Sequence, residues 1–143
     1  MEDNVNTRKF LIATHGTLAS GVKSSLDIIT GANDNLFLIQ AYLEENKSLE
    51  EEILAILEQV DDNEELIVFS DLLGGSVTNQ ILQYGLRPNV HIVSGFNLAL
   101  VIEILLADTK IDIEQVIKES IENAKEQMVY VNKLLTTQHN NND

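Results

Sequence analysis

The chain contains no cysteine and no tryptophan, one proline, and only 9 basic residues against 23 acidic ones. Without cysteine there can be no disulfide, no thiol nucleophile and no thiolate metal site. The histidines, His15, His91 and His139, are scattered along the sequence, so no dedicated transition-metal site is expected. A formal net charge of −14 argues against a nucleic-acid partner, because phosphate backbones require a basic footprint. The acidic residues gather in Glu44-Glu45, Glu50-Glu51-Glu52, Asp61-Asp62 and Glu64-Glu65. Such runs are most simply solvated helix faces and loops; electrostatic guidance of a basic protein partner is the functional alternative. No apolar run approaches the ~20 residues of a membrane span, and the longest, Leu98 to Ala107, is broken by Glu103. The polar, acidic start Met1–Asn6 does not resemble a signal peptide. The expected location is the cytoplasm.

What is present is a globular composition: 143 residues, 44% of them hydrophobic, enough for one domain with its own core. The expected unit is a single domain over 1–143, with an ordered core at about 8–135 and a polar tail at 136–143. Apolar runs rich in β-branched residues predict strands at Lys9–Thr14, Leu36–Tyr42, Leu66–Ser70 and Val90–Ser94. Between them, Leu18, Val22, Leu26 and Ile29 fall at near-helical spacing and stop at Gly31, a natural C-cap. Ser48 with Glu51 forms a capping box ahead of the stripe Leu49, Ile53, Ile56, Leu57 and Val60. Further helices are predicted over Val77–Tyr84, over Asn97–Leu106, and from Ile113 through Ala124. Met128–Val131 is open between a continued helix and a short β segment.

Alternating strands and helices specify an α/β fold: a doubly wound, mainly parallel sheet with helices on both faces. Right-handed crossovers make 2-1-3-4 the simplest strand order. In that order the first and third strands meet at the switch point, where ligands of open α/β sheets bind. Their carboxyl ends carry His15 and Asp71, residues far apart in sequence that are predicted to share one crevice.

A neutral imidazole at a strand end can act as base, metal ligand or phosphate acceptor. Gly16 lets the backbone turn beside it. Asp71 is the natural partner for one ring nitrogen, fixing the tautomer and leaving the other nitrogen nucleophilic. Gly74, Gly75 and Ser76 offer backbone N–H groups and a hydroxyl at a helix start, an arrangement that favours an oxyanion. Ser76, His15 and Asp71 contain the residue types of a hydrolase triad, but the chain has no Gly-x-Ser-x-Gly elbow. Asp71 as phosphoacceptor lacks an acidic cluster beside it for Mg²⁺. His91 reads as structural and His139 as a solvated tail residue.

Ile12-Ala13-Thr14-His15-Gly16, Phe69-Ser70-Asp71-Leu72-Leu73-Gly74-Gly75-Ser76 and Val93-Ser94-Gly95-Phe96-Asn97-Leu98 together resemble the enzyme IIA component of the mannose family of the bacterial phosphoenolpyruvate-dependent sugar phosphotransferase system. The similarity in motif order and spacing covers about residues 8 to 130. It implies a phosphotransferase in which His15 accepts a phosphoryl group on Nε2 from the histidine-containing phosphocarrier protein. Asp71 would bond Nδ1, and Thr14 and Ser76 match positions lining the phosphate pocket. The group then passes to a histidine of a sugar-specific enzyme IIB and through it serves the membrane-embedded sugar permease. No cofactor and no metal are implied. Members are commonly homodimers, in some of which a C-terminal antiparallel edge strand crosses between subunits, which puts Met128–Val131 in question. Leu73 stands where many members carry Trp, so the sugar is left open, and no fused IIB is expected.

An apolar rim of Leu18, Leu72, Leu73 and Phe96 around His15 is expected to serve transient docking. Two other readings compete. One is the phosphotransfer subunit of dihydroxyacetone kinase, which uses a similar domain. The other is a regulatory domain that senses phosphorylation at His15 without passing it on. A histidine phosphatase fails, because Thr14 stands where such enzymes place Arg before His-Gly, and Arg8 and Arg87 are the only arginines.

Overall fold

In the computed structural model, which describes residues 7–141 and their side chains through Thr137, strands and helices alternate before three helices close the chain. The elements are β1 (Arg8–His15), α1 (Leu18–Thr30), β2 (Leu36–Ala41), α2 (Leu49–Glu58), β3 (Glu65–Ser70), α3 (Ser76–Gly85), β4 (Val90–Ser94), α4 (Leu98–Leu105), α5 (Ile113–Lys125) and α6 (Val131–Asn141). The strands form one sheet in the order β2-β1-β3-β4, parallel at every pairing. This is the doubly wound α/β sheet that the sequence predicts.

β1 shows why both faces are covered. Successive side chains of a strand point to opposite faces, and every residue from Phe10 to Ala13 is apolar and buried. Leu11 and Ala13 pack with Leu49, Ile53 and Leu57 of α2 and with Val77 and Ile81 of α3. Phe10 and Ile12 pack on the other side with Leu26 of α1, Val101 and Ile104 of α4 and Val116 of α5. A strand buried on both faces reads as a continuous apolar run, as parallel sheets require.

The starts of α2, α4 and α5 are set by side-chain caps, which satisfy amide groups that lack a partner in the first turn. Ser48 Oγ accepts from the Glu51 amide at 3.3 Å, Asn97 Oδ1 from the Leu100 amide at 2.9 Å, and Asp112 Oδ2 from the Gln115 amide at 3.4 Å. At the foot of the sheet Arg8 is buried, and its guanidinium donates to the carbonyls of Asp108 (3.4 Å), Thr109 (3.3 Å) and Ile111. It thereby ties β1 to the loop between α4 and α5.

The C-terminal region follows neither of the two courses left open for Met128–Val131. Met128–Tyr130 has no regular structure, and α6 follows in place of an antiparallel edge strand, so β4 has no further strand beside it among the described residues. The Tyr130 carbonyl accepts from the amides of Lys133 (3.0 Å) and Leu134 (3.1 Å), which closes a helical turn and withdraws those groups from any ladder. The helix continues to Asn141 through residues read from sequence as a polar tail. The His139 side chain lies outside the described residues.

Candidate active site

The switch point brings the two expected residues into contact. His15 is the last residue of β1 and pairs in register with Ala41 of β2, while Ala13 pairs with Ser70, the residue before Asp71. Asp71 Oδ2 accepts twice from His15: from its backbone amide at 2.8 Å and from ring Nδ1 at 2.8 Å. The Asp71 side chain is about one-tenth exposed, that of His15 about two-fifths. Burial pushes the Asp71 carboxyl up, but the amide, the ring hydrogen bond and the adjoining histidine together outweigh it, leaving the group below the usual carboxylate range. Oδ1 is buried without a hydrogen-bond partner. With the carboxylate on Nδ1, that nitrogen carries the proton and Nε2 keeps its lone pair.

Nε2 faces the start of α3. Ser76 Oγ, on the first residue of that helix, lies 3.4 Å from it. The loop before the helix must turn sharply. Gly74 does so with φ +78, the left-handed region where a side chain is strained. Gly75 is held by space instead: a Cβ there would sit 3.2 Å from the Leu72 Cβ and carbonyl and 3.8 Å from His15 Cε1. The buried Thr78 hydroxyl lies 2.7 Å from both the Leu72 carbonyl and Ser70 Oγ. Having one proton, it donates to the carbonyl and accepts from Ser70, which fastens the loop to β3. The exposed N-terminus of α3 therefore meets the free nitrogen, an arrangement that favours a negatively charged group there.

The remaining sequence-derived residues divide. Gly16, with φ +59, turns the chain after His15 and donates its amide to the Ala41 carbonyl at 3.0 Å. Thr14 is fully buried, and its hydroxyl accepts from the Ala19 amide at 3.0 Å, serving the start of α1, where Thr17 makes no side-chain cap. Leu18, three residues after His15, and Leu72 and Leu73, which follow Asp71, are exposed. Phe96 is less exposed than these leucines. It packs edge-on to Phe69 with centroids 6.3 Å apart, held by the α4 side of the core. His91 lies at the far edge of the sheet, where its Nε2 bonds Glu65 Oε2.

One residue of the site escapes sequence reasoning. Tyr42 follows β2 with φ +68, places its hydroxyl 2.7 Å from Ser76 Oγ, and sets its ring 5.5 Å from the His15 ring. No local sequence pattern marks it: Tyr42 reaches the site because the residue before it, Ala41, pairs in register with His15. Among the described residues no cluster of three or more histidines and carboxylates could hold a metal ion, and no helix is long and apolar enough to cross a membrane.

Comparison with known proteins gives this geometry its relatives. A search of curated proteins returned no match. A provisionally assigned phosphoenolpyruvate-dependent sugar phosphotransferase system permease of Klebsiella pneumoniae is 32% identical, covers 94% of this chain and 98% of its own, and superposes with a TM-score of 0.87. The IIA protein associated with the fucose utilisation operon of Streptococcus pneumoniae is 30% identical over 91% of this chain and 97% of its own, with a TM-score of 0.72. The mannose/sorbose-specific IIA subunit of Enterococcus faecalis shares the fold, with 22% identity, coverage of 86% and 93%, and a TM-score of 0.75. The family profile described as the phosphotransferase system fructose IIA component matches residues 9–121, which contain His15, Asp71 and Ser76. The chain therefore belongs to the mannose-type enzyme IIA components of the sugar phosphotransferase system.

Proposed function

We propose that this phosphotransferase system component is a cytoplasmic phosphocarrier that takes a phosphoryl group onto His15 Nε2 and passes it on. The donor is the histidine-containing phosphocarrier protein. The acceptor is a histidine of a sugar-specific enzyme IIB, which serves the membrane-embedded permease. One observation carries the reading: Asp71 holds the proton on Nδ1 at 2.8 Å while Nε2 faces Ser76 and the N-terminus of α3.

Transfer is an in-line displacement. The donor's N–P bond breaks as the Nε2 lone pair forms a new one, and no proton has to move. The imidazole gains positive character, which the ionised Asp71 stabilises through Nδ1–H. The phosphoryl oxygens meet Ser76 and the α3 N-terminus, with Gly16, Gly74 and Gly75 leaving the approach unobstructed. Stabilisation comes from positioning and fixed dipoles. Onward transfer reverses the step, and the Nδ1 proton keeps the ring a good leaving group. Thr14, fastened to Ala19, supports the pocket from behind.

Incubation with phosphoenolpyruvate, enzyme I and the phosphocarrier protein tests this. Wild type should take an acid-labile, alkali-stable phosphate, His15→Ala none, and Asp71→Ala should label roughly 10²-fold more slowly. An unlabelled wild type refutes the reading.

The molecule is further proposed to be a homodimer. Tyr130, Val131 and Leu135, at 67%, 52% and 59% exposure, form an apolar C-terminal surface with Met128 and Leu134, more than isolated surface residues would present. Sedimentation should find a dimer that Leu134→Glu with Leu135→Glu converts to monomer. A monomeric wild type sinks this arrangement.

A further inference from the structure

Tyr42 is an exposed aromatic residue in a backbone conformation that bulky side chains avoid. Its φ of +68 is the single left-handed non-glycine value among the described residues, and its side chain is not held by burial, being 60% exposed. An outlier of this kind persists only where surrounding contacts enforce it, and such outliers cluster at functional sites. Here the contacts are with the active site itself: the Ser76 hydroxyl at 2.7 Å and the His15 ring, tilted by 42° at a centroid distance of 5.5 Å.

The direction of these hydrogen bonds follows from the proton inventory. In the neutral imidazole, the form that acts as nucleophile, Nδ1–H donates to Asp71 and Nε2 can only accept. Ser76 must then donate to Nε2, and, its own proton being committed, it can only accept from Tyr42. The chain of groups runs Tyr42 O–H to Ser76 O–H to Nε2, over 2.7 Å and 3.4 Å. Among the described residues, the side chains hydrogen-bonded to His15 are a carboxylate and a hydroxyl, and neither an ammonium nor a guanidinium. An incoming phosphoryl group in so acidic a protein must therefore be met by neutral donors, and their orientation matters more than it would beside a lysine.

We propose that Tyr42 is a positioning residue for phosphoryl transfer, holding Ser76 as the donor that first meets Nε2 and then the phosphoryl oxygens bound there. The inference rests on the phosphohistidine reading above. As the donor's N–P bond breaks and the Nε2–P bond forms, the lone pair that Ser76 had contacted is consumed. The Ser76 O–H swings to a phosphoryl oxygen, Tyr42 still donates to Ser76 Oγ, and no proton changes owner.

The experiment is single-turnover transfer from the phosphorylated carrier protein to wild type, Tyr42→Phe, Ser76→Ala and the double variant. Tyr42→Phe keeps the ring and the backbone and removes only the hydroxyl. It should lower the saturating rate about 3–10-fold, the size of one lost hydrogen bond, leave half-saturation by the donor unchanged, and shift the ³¹P resonance of the phosphohistidine. The double variant should be no slower than Ser76→Ala alone, because Tyr42 acts through Ser76. A Tyr42→Phe protein with the wild-type rate, an effect on half-saturation alone, or independent effects that multiply in the double variant would each overturn the proposal. A wild type that takes no phosphate fails the phosphohistidine reading instead, so the two failures are distinct.

Discussion

Asp71 aims one oxygen at both the backbone and the ring of His15, while its second oxygen is buried with nothing to accept from. Because the folded carboxyl lies below its usual range, the folded state holds on to the ionised form more firmly than the unfolded chain does. Its contribution to stability is therefore complete at neutral pH and disappears as the pH falls from about 4, the ordinary aspartate value, through the lowered one. The gap in urea midpoint between wild type and Asp71→Asn should narrow over that window; a gap constant from pH 7 to pH 3 would contradict the linkage. Thr14 makes a separate prediction. Thr14→Val leaves the buried Ala19 amide without its acceptor, and should cost roughly 1–3 kcal/mol in denaturant unfolding.

At the scale of elements, the loop into α3 determines where Ser76 stands. Gly75→Ala presses a methyl against the Leu72 backbone and should destabilise by about 1–3 kcal/mol while slowing phosphoryl transfer, since the displaced residue is the next one along. Gly74→Ala has room for its methyl but sits at φ +78, so a loss of about 1–2 kcal/mol with a smaller effect on transfer is expected; thermal melts and transfer assays on both variants separate space from backbone strain. The strands and helices themselves were legible from apolar runs and caps, and the His15–Asp71 pair from strand order. Strand alternation also separates Thr14 from His15. Thr14 falls on the Phe10–Ile12 face of β1, toward α1, whereas His15 falls on the Leu11–Ala13 face, toward α3. The two neighbours therefore serve different helices. Tyr42 was not legible, because its role arises from the register of β1 against β2 and from no local pattern. α6 was ambiguous because its side chains through Thr137 are exposed, so no core contact imposes a clear period on them.

Over the whole molecule, the charge of −14 surrounds a histidine that, in the proposed mechanism, receives a dianionic group from another protein. Long-range attraction to a basic partner would offset that repulsion during approach. Transfer from the carrier protein should slow roughly 10-fold between low salt and about 0.5 M salt, with the loss in association and not in the saturating rate; stopped-flow mixing at several salt concentrations checks this, and salt-independent association would assign the acidic faces to solubility alone.

The guanidinium of Arg8 has a consequence in time as well as in space. Its acceptors, the carbonyls of Asp108, Thr109 and Ile111, lie 100, 101 and 103 residues downstream. On the ribosome, β1 is made first, and it occupies an interior place in the sheet, between β2 and β3. A nascent chain that ends before Asp108 holds none of the three carbonyls that receive the Arg8 guanidinium, so the contact that anchors the root of its first strand forms only once the loop between α4 and α5 has been made, however early that strand appears.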